Sequence, residues 1–120
     1  MSDGVPPEYL AEPRRYFLEW IPQLLEQHRA AHGHFGKVRS VAQFHLTGDA
    51  GGWWHFVLGG DSVAVAEGAH PAPGFTLTMD VDVWRRLNRG EANGLKAWLK
   101  GEVKITGSKL QFLRVAKLFG

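Results

Sequence analysis

Gly101-Glu-Val-Lys-Ile-Thr-Gly107, followed at once by Ser108-Lys-Leu-Gln-Phe-Leu-Arg-Val-Ala-Lys-Leu-Phe119, is the stretch on which the fold turns. In its first half Val103 and Ile105 alternate with Glu102, Lys104 and Thr106, the period of a strand with one buried face. In its second half Ser108 is a candidate cap, and from Leu110 onward polar side chains recur only at Gln111, Arg114 and Lys117. That spacing confines them to a strip of about 120° on a helix of 3.6 residues per turn. An ordinary surface helix buries a stripe of roughly 100° or somewhat more. Leu110, Phe112, Leu113, Val115, Ala116, Leu118 and Phe119 therefore need a second apolar contact beyond one sheet face. A lipid-like ligand, a partner or a membrane would each supply it.

Working outward, Phe75, Leu77 and Met79 alternate with Thr76 and Thr78, and Asp80 or Asp82 offers a helix cap. Val83, Trp84 and Leu87 make one face of the helix that follows, with Arg85, Arg86 and Arg89 on the other and Gly90 as its stop. Asn93 is expected to cap a second short helix whose inner side carries Leu95, Trp98 and Leu99. Upstream, strands are expected over 40–47, 53–58 and 62–67, the first two joined by Gly48-Asp-Ala-Gly-Gly52. A register in which paired residue numbers sum to about 100 sets Leu46 opposite Trp54 and Phe44 opposite Phe56 on one face. The same register puts His45 and His55 opposite each other on the other face, and the strands read as an antiparallel meander.

Before the strands, Phe17, Trp20, Ile21, Leu24, Leu25 and His28 follow helical spacing from Arg14 to Ala31, with a kink or restart at Pro22 and an end at Gly33. Residues 1–12, with Pro6 and Pro7, read as a loosely ordered lead-in, and 13–120 as a single domain. The fold class is α+β: a five-stranded sheet with helices covering one face, and any ligand cavity opening between the two layers.

Composition sets the outer bounds. A chain of 120 residues and 13.4 kDa holds one sizeable core and no second domain. No apolar run approaches the ~20 residues of a membrane span, and the first residues resemble no secretory leader, so a cytoplasmic protein is expected. The absence of cysteine excludes disulfides, thiol catalysis and thiolate-bound metal. Net charge is +2, but residues 1–80 carry five Lys/Arg and nine Asp/Glu, whereas 81–120 carry nine and three. The half with excess apolar helix surface is thus the basic half, which suits an anionic membrane or an acidic head group. No nucleic-acid motif accompanies the arginines at 85, 86 and 89.

Residues with catalytic or metal-binding potential are sparse. His28 and His32 lie one helical turn apart with His34 beyond, an arrangement that a solvated helix C-terminus explains. The His45–His55 pair supplies two ligands and no third, and His70 sits alone in a proline loop. There is no Gly-x-Ser-x-Gly elbow, phosphate loop or dinucleotide fingerprint, and Asp80 and Asp82 read as helix starts. No enzyme, metal or cofactor is expected.

Taken in order, Phe75-Thr-Leu-Thr-Met-Asp80, Trp84, Leu87, Gly90, Asn93-Gly-Leu-Lys-Ala-Trp-Leu99, Gly101-Glu-Val-Lys-Ile-Thr-Gly107 and Lys117-Leu-Phe119 resemble the SCP-2 sterol-carrier family. The resemblance covers about residues 36–119. It implies a five-stranded sheet with an apolar tunnel for a fatty acid, acyl-CoA, isoprenoid or other lipid, bound or transferred without chemistry. The candidate tunnel residues are Phe44, Trp54, Phe56, Leu77, Met79, Trp84, Leu87, Leu95, Trp98, Leu99, Val103, Ile105, Phe112, Leu113 and Phe119. Arg85, Arg89, Lys109 and Arg114 are the candidates for head-group or membrane contact. Ser108-Lys109-Leu110, the type of signal that ends peroxisomal members, is internal here, and five tryptophans are expected to narrow the tunnel. The alternative is a homodimer or an accessory module of a lipid- or quinone-related enzyme system using the same surface.

Overall fold

Alternation along each strand decides which side chains are buried. In a computed structural model that describes residues 5–32 (28–32 as backbone only), 39–59 and 62–117, it produces one mixed sheet. Its strands are β1 (Arg39–Thr47), β2 (Gly52–Gly59), β3 (Ser62–Glu67), β4 (Phe75–Asp80) and β5 (Val103–Gly107), in the order β3-β2-β1-β4-β5. The first three form the expected meander, but β4 crosses over to run parallel to β1, and β5 returns antiparallel beside it. Trp54, Phe44, Leu77 and Ile105 are successive register partners, so one apolar row crosses four strands.

The β1–β2 register differs from expectation by one residue on each strand. Phe44 faces Trp54 and Ala42 faces Phe56, while His45 faces Trp53 and His55 faces Gln43. The cause is the turn: Gly52 joins the strand, and Gly51 N–H donates to Gly48 O at 3.0 Å, leaving a four-residue connection instead of five. Since residue numbers in a pair now sum to two fewer, every side chain keeps its face while its partner changes. His45 and His55 are therefore not opposite each other.

The crossover from β3 to β4 runs over the outer face of the sheet. Gly68 N–H donates to Trp53 O, His70 N–H to Gln43 Oε1 and Gly74 N–H to Val41 O. Gln43, which is buried, also donates to Thr76 Oγ1 at 3.0 Å, so its amide is satisfied at both ends.

Helices cover the inner face. α1 (Pro7–Ala11) and α2 (Pro13–Arg15) each start on a proline, where the missing N–H costs nothing. Residues 7–11 are thus ordered rather than a loose lead-in: Leu10 is buried, and the Leu10 and Ala11 carbonyls accept from Arg85. A π-helical turn at Tyr16–Trp20 follows and leads into α3 (Ile21–His32). Pro22 has no N–H for the Leu18 carbonyl and would crowd it, and the wider turn, with Ile21 N–H donating to Tyr16 O, accommodates the ring. The turn sets Phe17, 1% exposed, at the centre of the core, stacked on Trp54 at 4.6 Å and touching Phe44, Phe56 and Trp84.

The second half follows its caps. Asp80 Oδ2 accepts from Asp82 N–H at the start of α4 (Val81–Asn88), and Asn93 Oδ1 from Lys96 N–H at α5 (Gly94–Leu99). Ser108 Oγ accepts from Gln111 N–H at α6 (Lys109–Ala116). Gly107, at φ +88, closes against β4, where a Cβ would strike the Gly74 carbonyl and the Phe75 Cα.

Candidate functional site

Burial falls off along the inner-face row. At one end Trp54 is 1% exposed beneath the Phe17 ring, whereas Phe44, Leu77 and Ile105 are only half-buried toward the β5 edge. Leu87 of α4 and Phe112 of α6 are also half-buried, and Phe112 meets Phe75 edge-on at 5.6 Å. Phe44, Leu77, Leu87 and Phe112 pack against the core while staying partly covered, and Ile105 is half-buried at the end of the row.

The expected tunnel residues accordingly divide into three groups. Trp54, Phe56, Met79, Trp84 and Val103 are buried in the core. Phe44, Leu77, Leu87, Ile105 and Phe112 are partly covered. Leu95, Trp98, Leu99 and Leu113 face solvent, and Phe119 lies outside the described residues. For α5 this reverses the expected inner side: Ala97 is the buried residue, while Leu95 and Leu99 are 64% and 69% exposed. The helix is short and tied to β5 by Gly101 at φ +80, with Gly101 N–H bonded to Trp98 O and Glu102 N–H to Ala97 O. The turn, rather than the apolar stripe, therefore sets which side meets the sheet, and a small side chain fits there.

α6 is likewise turned from the expected orientation. Gln111, placed by its spacing on the polar strip, faces inward, where its Oε1 accepts from Ser40 Oγ at 2.6 Å. Val115 is buried beside it, and Leu110 and Leu113 are left 58% and 56% exposed. The excess apolar surface read from the sequence is thus real, and part of it faces solvent.

Of the four cations proposed for a head group, Arg85 is engaged elsewhere. Its Nε donates to Leu10 O at 2.8 Å and its Nη2 to Ala11 O at 3.2 Å, clasping α1. Arg89, Lys109 and Arg114 are exposed. A cavity of about 450 Å³ between α4 and α5 is lined by Arg86, Gly90, Glu91, Ala92, Asn93, Lys96, Ala97, Lys100 and Glu102. None of the expected tunnel residues borders it.

Two polar features border the aromatic core. Trp54 Nε1 is buried with no acceptor among the described residues, a cost of about 1–3 kcal/mol by the usual measure of an orphaned donor. Burial also pushes the Tyr16 hydroxyl up to about 12. On the opposite face Trp53 stacks on His45 at 3.8 Å, and His55 meets His70 edge-on at 5.1 Å. Among the described residues no three His, Asp or Glu side chains are grouped to hold a metal ion. His28, His32 and His34 fall outside the described side chains. Of the tryptophans only Trp54 lies on the apolar row of the sheet. Phe17 and the Lys96–Lys100 pair were not singled out as site residues from the sequence. The helical spacing around Phe17 was the available signal.

A five-stranded β3-β2-β1-β4-β5 mixed sheet with one helix-covered face defines a small α+β domain. Residues 21–120 match the SCP-2 sterol transfer family, and the chain belongs to it. Among solved structures it is similar to sterol carrier protein 2 from Yarrowia lipolytica in its apo form. The two share 23% identity over 74% of this chain and 79% of that one, with a TM-score of 0.60. Palmitated sterol carrier protein 2-like 2 from Aedes aegypti matches at 19% identity over 84% and 92%, with a TM-score of 0.63. The SCP2 protein UbiJ of ubiquinone synthesis matches at 16% over 79% and 73%, with a TM-score of 0.53. No curated protein matches the chain. Among the described residues no helix is long and apolar enough to cross a membrane.

Proposed function

We propose that the protein is a non-enzymatic carrier of a single hydrophobic ligand with an extended chain, such as a fatty acid, acyl-CoA or isoprenoid. The observation that carries this reading is the row Phe44, Leu77 and Ile105, in which core-type side chains stay half-covered on the face that helices otherwise bury. The ligand chain lies over Phe44, Leu77 and Ile105, between Leu87 and Phe112, and Phe17 over Trp54 forms the closed end. Each methylene moved out of water contributes about 0.8 kcal/mol, so a chain of modest length reaches micromolar affinity through burial alone. Arg89, Lys109 and Arg114 are available to an anionic head group or to an anionic membrane during exchange. Family membership and the palmitated state of the mosquito relative support a lipid as the ligand class.

The test is displacement of a fluorescent fatty acid from the purified chain, after delipidation, by unlabelled competitors. Saturable one-to-one binding at micromolar concentration supports the reading, and no binding at that level rejects it. A second reading, a homodimer or an accessory module of a lipid- or quinone-related enzyme system, is favoured by the exposed Leu95, Leu99, Leu110 and Leu113. It requires a concentration-dependent association that occludes the same surface.

A further inference from the structure

α5 divides into three sectors when its side chains are placed at about 100° intervals. Ala97 points into the protein and is buried. Leu95, Trp98 and Leu99 occupy the opposite sector at 64%, 42% and 69% exposure, an apolar ridge with no covering side. Lys96 and Lys100 lie on the flank between them, where they line the 450 Å³ cavity together with Arg86. Charge in this region is mostly positive: from Arg85 to Lys117 there are nine Lys/Arg and two acids, Glu91, which also lines the cavity, and Glu102, which is paired to Arg86 at 3.6 Å. α6, on the other side of β5 in sequence, repeats the pattern with exposed Leu110 and Leu113 beside exposed Lys109, Arg114 and Lys117.

From this arrangement we infer that α5, seconded by α6, is the element that docks the protein on an anionic phospholipid bilayer. The Leu95–Trp98–Leu99 ridge enters the head-group boundary while Lys96, Lys100 and Arg86 meet lipid phosphates in the adjoining cavity. Helices that lie in a membrane interface combine an inserted apolar sector with flanking lysines, and a surface tryptophan suits that depth. Each basic side chain near an anionic surface contributes about 1 kcal/mol. A second copy of this chain is the poorer occupant, because an isologous contact would bring two surfaces of the same strong positive charge together. The proposal takes its purpose from the carrier reading, since a carrier must load and unload at a membrane, but its surface lies outside the proposed groove.

The test uses the full chain and sedimentation with vesicles of phosphatidylcholine, alone or equimolar with phosphatidylglycerol. Binding to the anionic vesicles, weak binding to the neutral ones and weakening by salt are expected. L95E/L99E and K96E/K100E should each lower that affinity by about tenfold or more, with K96Q/K100Q intermediate. The wild-type exposure of these four positions lets the variants fold, which circular dichroism checks. Fatty acid displacement should stay unchanged in all three. Wild-type binding without regard to vesicle charge, or variants that bind as the wild type does, would overturn the proposal. A dimer in light scattering that L95E/L99E converts to monomer would overturn it too, by assigning the ridge to a second copy. Loss of fatty acid binding in the wild type with vesicle docking retained would instead reject the carrier reading alone.

Discussion

Replacing Phe17 by alanine removes the side chain that joins the N-terminal helices to the sheet. The ring is 1% exposed and lies parallel to Trp54, 10° between planes at 4.6 Å, with Phe44 at 5.3 Å, Phe56 at 6.1 Å, Trp84 at 6.2 Å and Tyr16 edge-on at 4.9 Å. Phe-to-Ala changes at buried sites cost about 3–5 kcal/mol. The aromatic contacts, each worth about 0.5–1.5 kcal/mol beyond burial and not additive, place Phe17→Ala at the upper end. A domain of this size has on the order of 6–18 kcal/mol in total, so a quarter or more of its stability is at stake. At roughly 3–5 °C per kcal/mol the midpoint should fall by about 15–25 °C. Urea unfolding followed by far-ultraviolet circular dichroism and by tryptophan fluorescence measures the change, with coincident curves establishing two-state behaviour. A loss below about 1 kcal/mol would refute the reasoning, because it would mean that Phe17 and the helices carrying it do not complete the core.

Three further outcomes follow from particular residues. Ile105→Trp, on the half-buried edge of the row, should lower fatty acid affinity about tenfold or more by filling the proposed groove, at a stability cost of no more than about 1–3 kcal/mol. Tyr16, pushed up to about 12 by burial, stays neutral in the folded chain at pH values where the unfolded chain ionises near 10. Its contribution is therefore fully present below about pH 10 and lost as pH rises through 12, at most about 2.7 kcal/mol, with a late absorbance phase at about 295 nm that Tyr16→Phe abolishes. Ala50 adopts φ +66, a left-handed conformation unfavourable for a residue with a Cβ, so Ala50→Gly should raise stability by about 0.5–1 kcal/mol in the same urea titration.

The parts of the fold that were legible in sequence are those fixed by neighbours a few residues apart. The caps at Asp80, Asn93 and Ser108 need only a side chain and an N–H two or three positions on, and each forms as expected. Alternation likewise set Trp54, Leu46 and Phe56 on one face, and all three are buried. The β1–β2 register hung on whether Gly52 belonged to the turn or the strand, which the residue type does not decide. Nothing local in Phe75–Asp80 says that β4 pairs with β1 in parallel; that choice depends on where the crossover through Gly68 and His70 is held, by Gln43 among others. The site was the least legible. Leu77, Met79 and Leu95 are equally apolar in sequence, yet one is half-covered, one is core and one faces solvent. For Leu95 a six-residue helix and the turn at Gly101 overrode the stripe.

Native mass spectrometry of the full chain, purified gently and then titrated with a fatty acid, tests the carrier claim most directly because it reports ligand mass and oligomeric state together. The prediction is a monomer that binds one lipid molecule, with that complex depleted in Ile105→Trp and retained in L95E/L99E. A chain that stays free of lipid at saturating fatty acid, or one that binds it equally well with Trp at 105, would contradict the account.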